Sequence, residues 1–144
     1  MVVYADTSFL FSLYAQDANT AQAGEVASGL RAPLAFTPWH RHELRNAFRL
    51  ALFRGEMTAQ QCETLLATTE ADLQAGALAE TALAWGDVFG EAEALSAAKV
   101  AKLGTRAADV LHVAAAVTLG SREFYTFDAR QQALAKAAGL KVKP

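Results

Sequence analysis

Short apolar runs alternate with longer amphipathic segments along the whole chain, and this alternation restricts the fold more than any other feature. The apolar runs, predicted to be β-strands, cover residues 2–5, 33–38, 77–79, 123–127 and 140–142. The segments between them, predicted to be helices, cover residues 9–14, 20–30, 39–53, 58–75, 84–103, 105–119 and 129–138. Strands that alternate with helices need crossover connections, so the sequence predicts an α/β fold, a three-layer α/β/α sandwich with a mainly parallel central sheet.

Chain length and composition predict a single domain that covers residues 1–144. Hydrophobic residues make up 53% of the chain and charged residues 19%, a balance that excludes a disordered chain. No apolar run approaches the roughly 20 residues that span a bilayer, and the N-terminus lacks the basic start of a signal peptide. Cys62 is the one cysteine, which excludes an internal disulfide and fits a reducing cytoplasm.

Two acidic residues follow predicted strands directly. Asp6 comes after the first predicted strand, and Asp128 comes after the strand at residues 123–127, which is rich in aromatic residues. Each fits two interpretations, the N-cap of the next helix or a member of a site beyond the carboxyl ends of parallel strands. Ser8 and Thr126 lie two residues from these acids, and their hydroxyl groups fit either local capping or contact with a metal-bound water or a phosphate oxygen.

Two further acidic residues lie within predicted helices. Asp109 is on the first turns of an almost wholly apolar helix, where the helix dipole favours a negative charge. Arg106, three residues earlier, either neutralises Asp109 or contacts a phosphate. Asn46 follows Glu43 by three residues on the same helix face, so it either orients Glu43 or contacts the substrate.

Clustered carboxylates repel one another unless a cation or a proton compensates their charge. Mg²⁺ and Mn²⁺ prefer oxygen ligands, and a bound cation activates water and stabilises the charge of a phosphodiester transition state. A divalent metal site for phosphodiester hydrolysis would explain why a chain needs three or four such acids, and the candidates are Asp6, Glu43, Asp109 and Asp128.

The charge pattern gives weaker information about partners. A net charge of −2 argues mildly against a protein that binds nucleic acid through overall positive charge. A basic stripe on one helix fits either a solvated face or local binding, and it consists of Arg41, Arg45, Arg49 and Arg54. His112 lies in so apolar a helix that a hydrogen-bonded core histidine is the favoured interpretation.

With these residues in place, the chain resembles the PIN-domain nucleases, and within them the VapC-like toxins of toxin–antitoxin pairs. The resemblance begins with the segment VYADTS at residues 3–8 and continues with Glu43. It is strongest in RAADVLHVAAA at residues 106–116, and it closes with FYTFDARQ at residues 124–131. The ordered set, with these spacings, is specific.

The resemblance implies a PIN-like α/β/α fold and a Mg²⁺- or Mn²⁺-dependent endoribonuclease that hydrolyses RNA with metal-activated water. It implies that the acidic positions, both catalytic and metal-binding, are Asp6, Glu43, Asp109 and Asp128. It also implies a homodimer that is neutralised by a cognate antitoxin protein, while the single cysteine and the short apolar runs predict a cytoplasmic protein without membrane association. One departure is the segment 95–100, where relatives often carry histidine or arginine and Lys99 is the only charged residue here.

Two alternatives remain open at this stage. The first is a phosphatase with Asp6 as its nucleophile. Phosphatases of that class require a second aspartate two residues later, and this chain has Ser8 at that position, which argues against the assignment. A catalytically inactive PIN-fold module would bind a partner without chemistry, although all four acidic positions are retained.

Overall fold

The computed structural model describes residues 3–144; Met1 and Val2, the latter within the first predicted strand, lie outside the described residues. The chain separates into two compact units. The first unit comprises the residues up to Asp6 together with Ala82–Pro144, and the second unit is Thr7–Thr81. The organisation of residues 1–144 as a single domain stays a prediction.

The helices and strands follow the predicted order. In chain order they are β1 (Tyr4–Ala5), α1 (Thr7–Tyr14), α2 (Thr20–Ser28), β2 (Leu34–Phe36), α3 (Pro38–Phe53), α4 (Ala59–Ala75), β3 (Leu78–Glu80), α5 (Trp85–Leu95), a π-helical turn (Ser96–Val100), α6 (Ala101–Leu103), α7 (Ala107–Thr118), β4 (Glu123–Tyr125), α8 (Ala129–Ala137) and β5 (Lys141–Lys143). Within residues 3–144, no helix is long and apolar enough to cross a membrane.

The first unit contains a parallel sheet in the order β1–β4–β5. Tyr4 pairs with Phe124 across β1 and β4, and both side chains are buried. The ladder continues past β1, because the backbone N–H of Asp6 donates to the carbonyl of Tyr125 over 3.0 Å. On the other side of β4, the N–H of Thr126 donates to the carbonyl of Lys143 over 2.9 Å. Asp6 and Thr126 therefore follow two neighbouring strands at the same edge of this sheet.

Helix α7 forms the apolar centre of the first unit and packs against α5. Its side chains from Val113 to Ala116 are buried, as the apolar sequence predicts. His112 is also buried, and its Nδ1 lies 2.8 Å from the hydroxyl oxygen of Tyr4. The prediction of a hydrogen-bonded core histidine is confirmed.

The second unit contains a parallel pair of strands, in which Leu34 of β2 is opposite Leu78 of β3. Helices α1 and α3 pack together, and Leu10, Leu44 and Phe48 are fully buried. Every strand pairing within residues 3–144 is parallel, and the predicted α/β fold is confirmed.

Local side-chain chemistry defines the ends of α4. The sequence TAQQ at residues 58–61 is typical of a capping box, and the structure contains one: the Thr58 hydroxyl accepts from the Gln61 N–H while the Gln61 amide oxygen accepts from the Thr58 N–H. The helix ends at Gly76, whose φ of 81° lies in the left-handed region that side chains with a Cβ disfavour.

The predicted helix 84–103 differs from the structure in one respect. Helix α5 includes Gly86 and Gly90, two residues that favour helices poorly, and a π-helical turn at Ser96–Val100 separates it from α6. One wider turn shifts the helical phase by a single residue. Because the segment is rich in alanine, a shift of this size does not change its hydrophobic pattern and cannot be predicted from the sequence.

Part of the basic stripe on α3 is engaged in ion pairs with α4. Glu70 accepts from Arg41 over 2.5 Å and from Arg45 over 3.3 Å. The hydrogen bond from Arg41 lowers the pKa of Glu70, burial opposes this shift, and the charges of Arg41 and Arg45 add to it. Arg49 and Arg54 are exposed, so the solvated-face interpretation fits them better than the first two.

Opposite effects on stability are expected for two glycine substitutions. Gly76→Ala forces a Cβ into a left-handed conformation and should lower the free energy of unfolding by about 1 kcal/mol. Gly90→Ala, inside α5 with open space around it, should raise that free energy by about 0.5–1 kcal/mol. Urea unfolding of both variants checks the pair, and equal effects would contradict the assigned backbone conformations.

The ion pairs of Glu70 predict a small dependence of stability on pH. Because the pKa of Glu70 is lower in the folded protein, its contribution is complete above the unfolded-state pKa and is lost as the pH falls through the folded-state pKa. Glu70→Gln should therefore lower the free energy of unfolding by about 0.5 kcal/mol at neutral pH and leave it unchanged at strongly acidic pH. Urea unfolding across this range tests the expectation, with the exposed Glu63→Gln as the control.

Candidate functional site

Asp6 is a buried carboxylate at the end of β1, with 2% of its surface exposed. Its Oδ2 accepts a hydrogen bond from Thr126 Oγ1 over 2.6 Å and another from Gln131 Nε2 over 2.9 Å. Neutral donors of this kind stabilise the charged form of a carboxylate without cancelling its charge. Asp6 is therefore held in a defined orientation by two side chains from the neighbouring strand end and from α8.

Thr126 connects Asp6 to the start of α8. Its Oγ1 donates to Asp6 and also accepts from the backbone N–H of Asp128 over 3.0 Å. Asp128 caps α8, because its Oδ1 accepts from the backbone N–H of Gln131 over 2.8 Å. The capping interpretation of Asp128 is confirmed, and its role in metal binding stays a prediction.

Asp109 lies on the first turn of α7, with 20% of its side chain exposed. Its Oδ2 lies 3.4 Å from Nε of Arg106, a side chain that is itself 75% exposed. Its Oδ1 accepts from Gln131 Nε2 over 3.3 Å. The structure thus brings Asp6 and Asp109 to the same amide nitrogen, so two of the predicted acidic residues lie close together.

Gln131 also belongs to this cluster, although its sequence context predicted no chemical role for it. It is 2% exposed, and it shares a buried helix face with Leu134 and Ala135, three and four residues later. That placement was readable from the sequence, because a glutamine on the apolar face of a helix must find polar partners inside the protein. Gln131 lies three residues after the N-cap Asp128, and the helical repeat places it on the same face as Leu134 and Ala135.

The remaining predicted site residues belong to the second unit. Glu43 is half-buried on α3, and its Oε1 accepts from Thr7 Oγ1 over 2.7 Å. Thr7 is the residue that follows Asp6 in the chain. Ser8, at the start of α1, and Asn46, on α3, are both exposed. The roles of these residues stay predictions.

The donor set of the first unit suits a hard divalent cation. Within residues 3–144, no group of three or more His, Cys, Asp or Glu side chains is arranged so that it could hold a metal ion. Asp6 and Asp109 nevertheless offer carboxylate oxygens close together, and Gln131 adds a buried amide oxygen that has no hydrogen-bond partner in the described part of the chain. Mg²⁺ and Mn²⁺ accept such a set, since Mg²⁺ sites commonly use one or two carboxylates and retain several waters.

Comparison with solved structures relates the fold to known proteins. VapC20 of Mycobacterium tuberculosis, a toxin that cleaves the sarcin-ricin loop, aligns with a TM-score of 0.68 and 17% identity over 99% of both chains. VapBC2 of Rickettsia felis, bound to a DNA fragment from its promoter, aligns with a TM-score of 0.65 and 12% identity over 99% of this chain and 98% of that one. No protein-family model and no curated protein sequence matches the chain. The alignments show that the chain has the fold of these VapC proteins.

Thr126→Val tests the connection between the two strand ends. The substitution keeps the shape of the side chain but removes the donor to Asp6 and the acceptor for the Asp128 N–H. Because the buried Asp6 carboxylate loses one donor and the half-buried N–H of Asp128 loses its acceptor, we expect the free energy of unfolding to fall by about 2 kcal/mol. Thr126→Ser keeps the hydroxyl and should cost less than half as much in urea unfolding; equal losses would contradict the hydrogen-bonded role of Thr126.

Proposed function

We propose that this chain is a metal-dependent endoribonuclease and the toxin of a toxin–antitoxin pair. The observation that carries the proposal is the placement of Asp6 and Asp109 beside one amide donor, with Asp6 at the carboxyl end of a parallel strand. Sites of α/β proteins form at such strand ends. The shared fold with VapC20, a toxin that cleaves RNA, supports the same reaction class here.

The proposed metal ligands are Asp6, Asp109, Glu43 and Asp128. Asp6 and Asp109 are supported by their mutual geometry. Glu43 and Asp128 are included on the resemblance of the sequence. When bound, Mg²⁺ or Mn²⁺ supplies activation of water and compensation of negative charge at a phosphate.

The protein side chains have separate tasks in this proposal. Thr126 and Gln131 orient Asp6 by donating to its Oδ2. Arg106 is exposed beside Asp109 and is proposed to contact a phosphate of the substrate. Ser8 and Asn46 are exposed, polar and proposed to contact RNA.

The proposal includes two protein partners. The second aligned structure is VapBC2 bound to a DNA fragment from its promoter, and we propose that the present chain binds a cognate antitoxin. We also propose that it forms a homodimer in the cytoplasm, as the resemblance implies. Co-purification of the antitoxin encoded beside the gene, and light scattering of the toxin alone, measure these two assemblies.

RNA cleavage by the purified protein tests the enzymatic proposal. We expect cleavage with Mg²⁺ or Mn²⁺, none with EDTA, and a loss of at least about 100-fold in Asp6→Asn and Asp109→Asn, since each removes a negatively charged ligand. Glu63→Gln, which changes an exposed residue of α4, is the control and should retain full activity. Full activity in EDTA, or in both aspartate variants, would refute the proposal.

Expression in cells tests the toxin assignment. We expect the wild-type chain to arrest growth, and the Asp109→Asn variant or the neighbouring antitoxin to relieve the arrest. An inactive binding module gives a different result, in which the purified protein binds antitoxin but cleaves no RNA with either cation.

A further inference from the structure

Gln131 is the side chain that joins the two carboxylates of the candidate site. Its Nε2 lies 2.9 Å from Asp6 Oδ2 and 3.3 Å from Asp109 Oδ1. Ionised carboxylates accept hydrogen bonds and cannot donate them, so the amide must direct its NH₂ group toward both. The two N–H bonds of that group allow one donation to each carboxylate. This fixes the amide orientation and leaves Oε1, which is buried and has no hydrogen-bond partner within residues 3–144.

The electrostatics of the pair explain why such a donor matters. Two carboxylates held close together repel each other, and the repulsion is stronger where one of them, Asp6, is buried. Arg106 lies 3.4 Å from Asp109 but is 75% exposed, so solvent screens much of its charge. Gln131 is buried and donates to both acids, which places the positive end of its amide dipole between them.

The position of Gln131 is itself fixed by the helix cap. The backbone N–H of Gln131 donates to Asp128 Oδ1 over 2.8 Å, and the N–H of Asp128 donates to Thr126 Oγ1 over 3.0 Å. Thr126 in turn donates to Asp6. Because the Gln131 side chain also donates to Asp6, the hydrogen bonds of Asp6, Thr126, Asp128 and Gln131 form a closed ring.

We propose that Gln131 is a positioning residue that holds Asp6 and Asp109 at the spacing a divalent cation requires. The part of this inference that concerns the cation rests on the proposed function; the part that concerns the two carboxylates does not. The unpartnered Oε1 is consistent with a site that a hydrated cation completes, because amide oxygens accept from coordinated water and also ligate hard cations.

The first measurement is calorimetric titration of the whole protein with Mn²⁺. Gln131→Met, similar in length and without a donor, should raise the Kd for Mn²⁺ by about 10-fold or more, as loss of a group that orients metal ligands does elsewhere. Gln131→Asn keeps an amide too short to reach both acids and should also weaken binding. Gln132→Met is the matched control, because Gln132 lies on the same helix and donates instead to the Thr126 carbonyl over 3.0 Å; its Kd should stay within about twofold of the wild-type value.

The second measurement needs no cation. We expect Gln131→Met to lower the Tm of the metal-free protein by about 3 °C or more. In the Asp109→Asn background, where the repulsion is gone, the same substitution should lower the Tm by less than half as much. A residue that merely fills space would lower the Tm equally in both backgrounds. The Gln131→Asn cycle provides the same comparison if the methionine variant fails to fold.

The outcomes separate this inference from the proposed function. An unchanged Mn²⁺ Kd in both Gln131 variants would overturn the positioning of the cation site while leaving the ribonuclease proposal intact. Equal Tm losses in the two backgrounds would overturn the bridging of the carboxylates. If the wild-type protein binds no Mn²⁺ and cleaves no RNA, the proposed function fails, and the Tm cycle still decides whether Gln131 joins Asp6 to Asp109.

Discussion

The parallel pairing of β1 with β4 is the constraint on which the candidate site depends. Because both strands run in the same direction, the residues that follow them, Asp6 and Thr126, emerge at one edge of the sheet although 120 positions separate them. Thr126 then joins Asp6 to the cap of α8, and that helix carries Gln131 toward Asp109 on α7. The pairing of β1 with β4 therefore positions Thr126, Thr126 positions the cap of α8, and the cap positions Gln131.

The sequence was sufficient for the features that local chemistry controls. The capping box at Thr58, the left-handed Gly76 and the buried apolar helix around His112 all follow from short patterns, and the structure has each of them. Parallel strands were predicted by a general rule of connection, which needs no knowledge of particular contacts. Asp128 fitted both a helix cap and a site residue, and in the structure it caps α8. Asp6 and Asp109 were singled out in advance, and they lie beside the same amide.

Features that depend on distant partners were not predictable in the same way. Glutamine is common on helix surfaces, so only the apolar face shared with Leu134 indicated that Gln131 is buried, and nothing local indicated its partners. The four spaced arginines of α3 form one sequence pattern, yet Arg41 and Arg45 pair with Glu70 because α4 packs beside them. The π-helical turn at Ser96–Val100 leaves almost no trace in a stretch of small residues. In each case the missing information is the identity of a neighbour that is remote in the chain or a slight change of helical phase.

The discontinuity of the first unit has a consequence for biosynthesis. Its first strand is synthesised before the second unit, but its partner β4 begins at Glu123, after the entire second unit. Until then β1 has no strand of its own sheet to pair with, and Asp6 lacks Thr126, Asp109 and Gln131. The nascent chain therefore completes this acidic cluster only after Gln131, 125 positions beyond Asp6, has been synthesised.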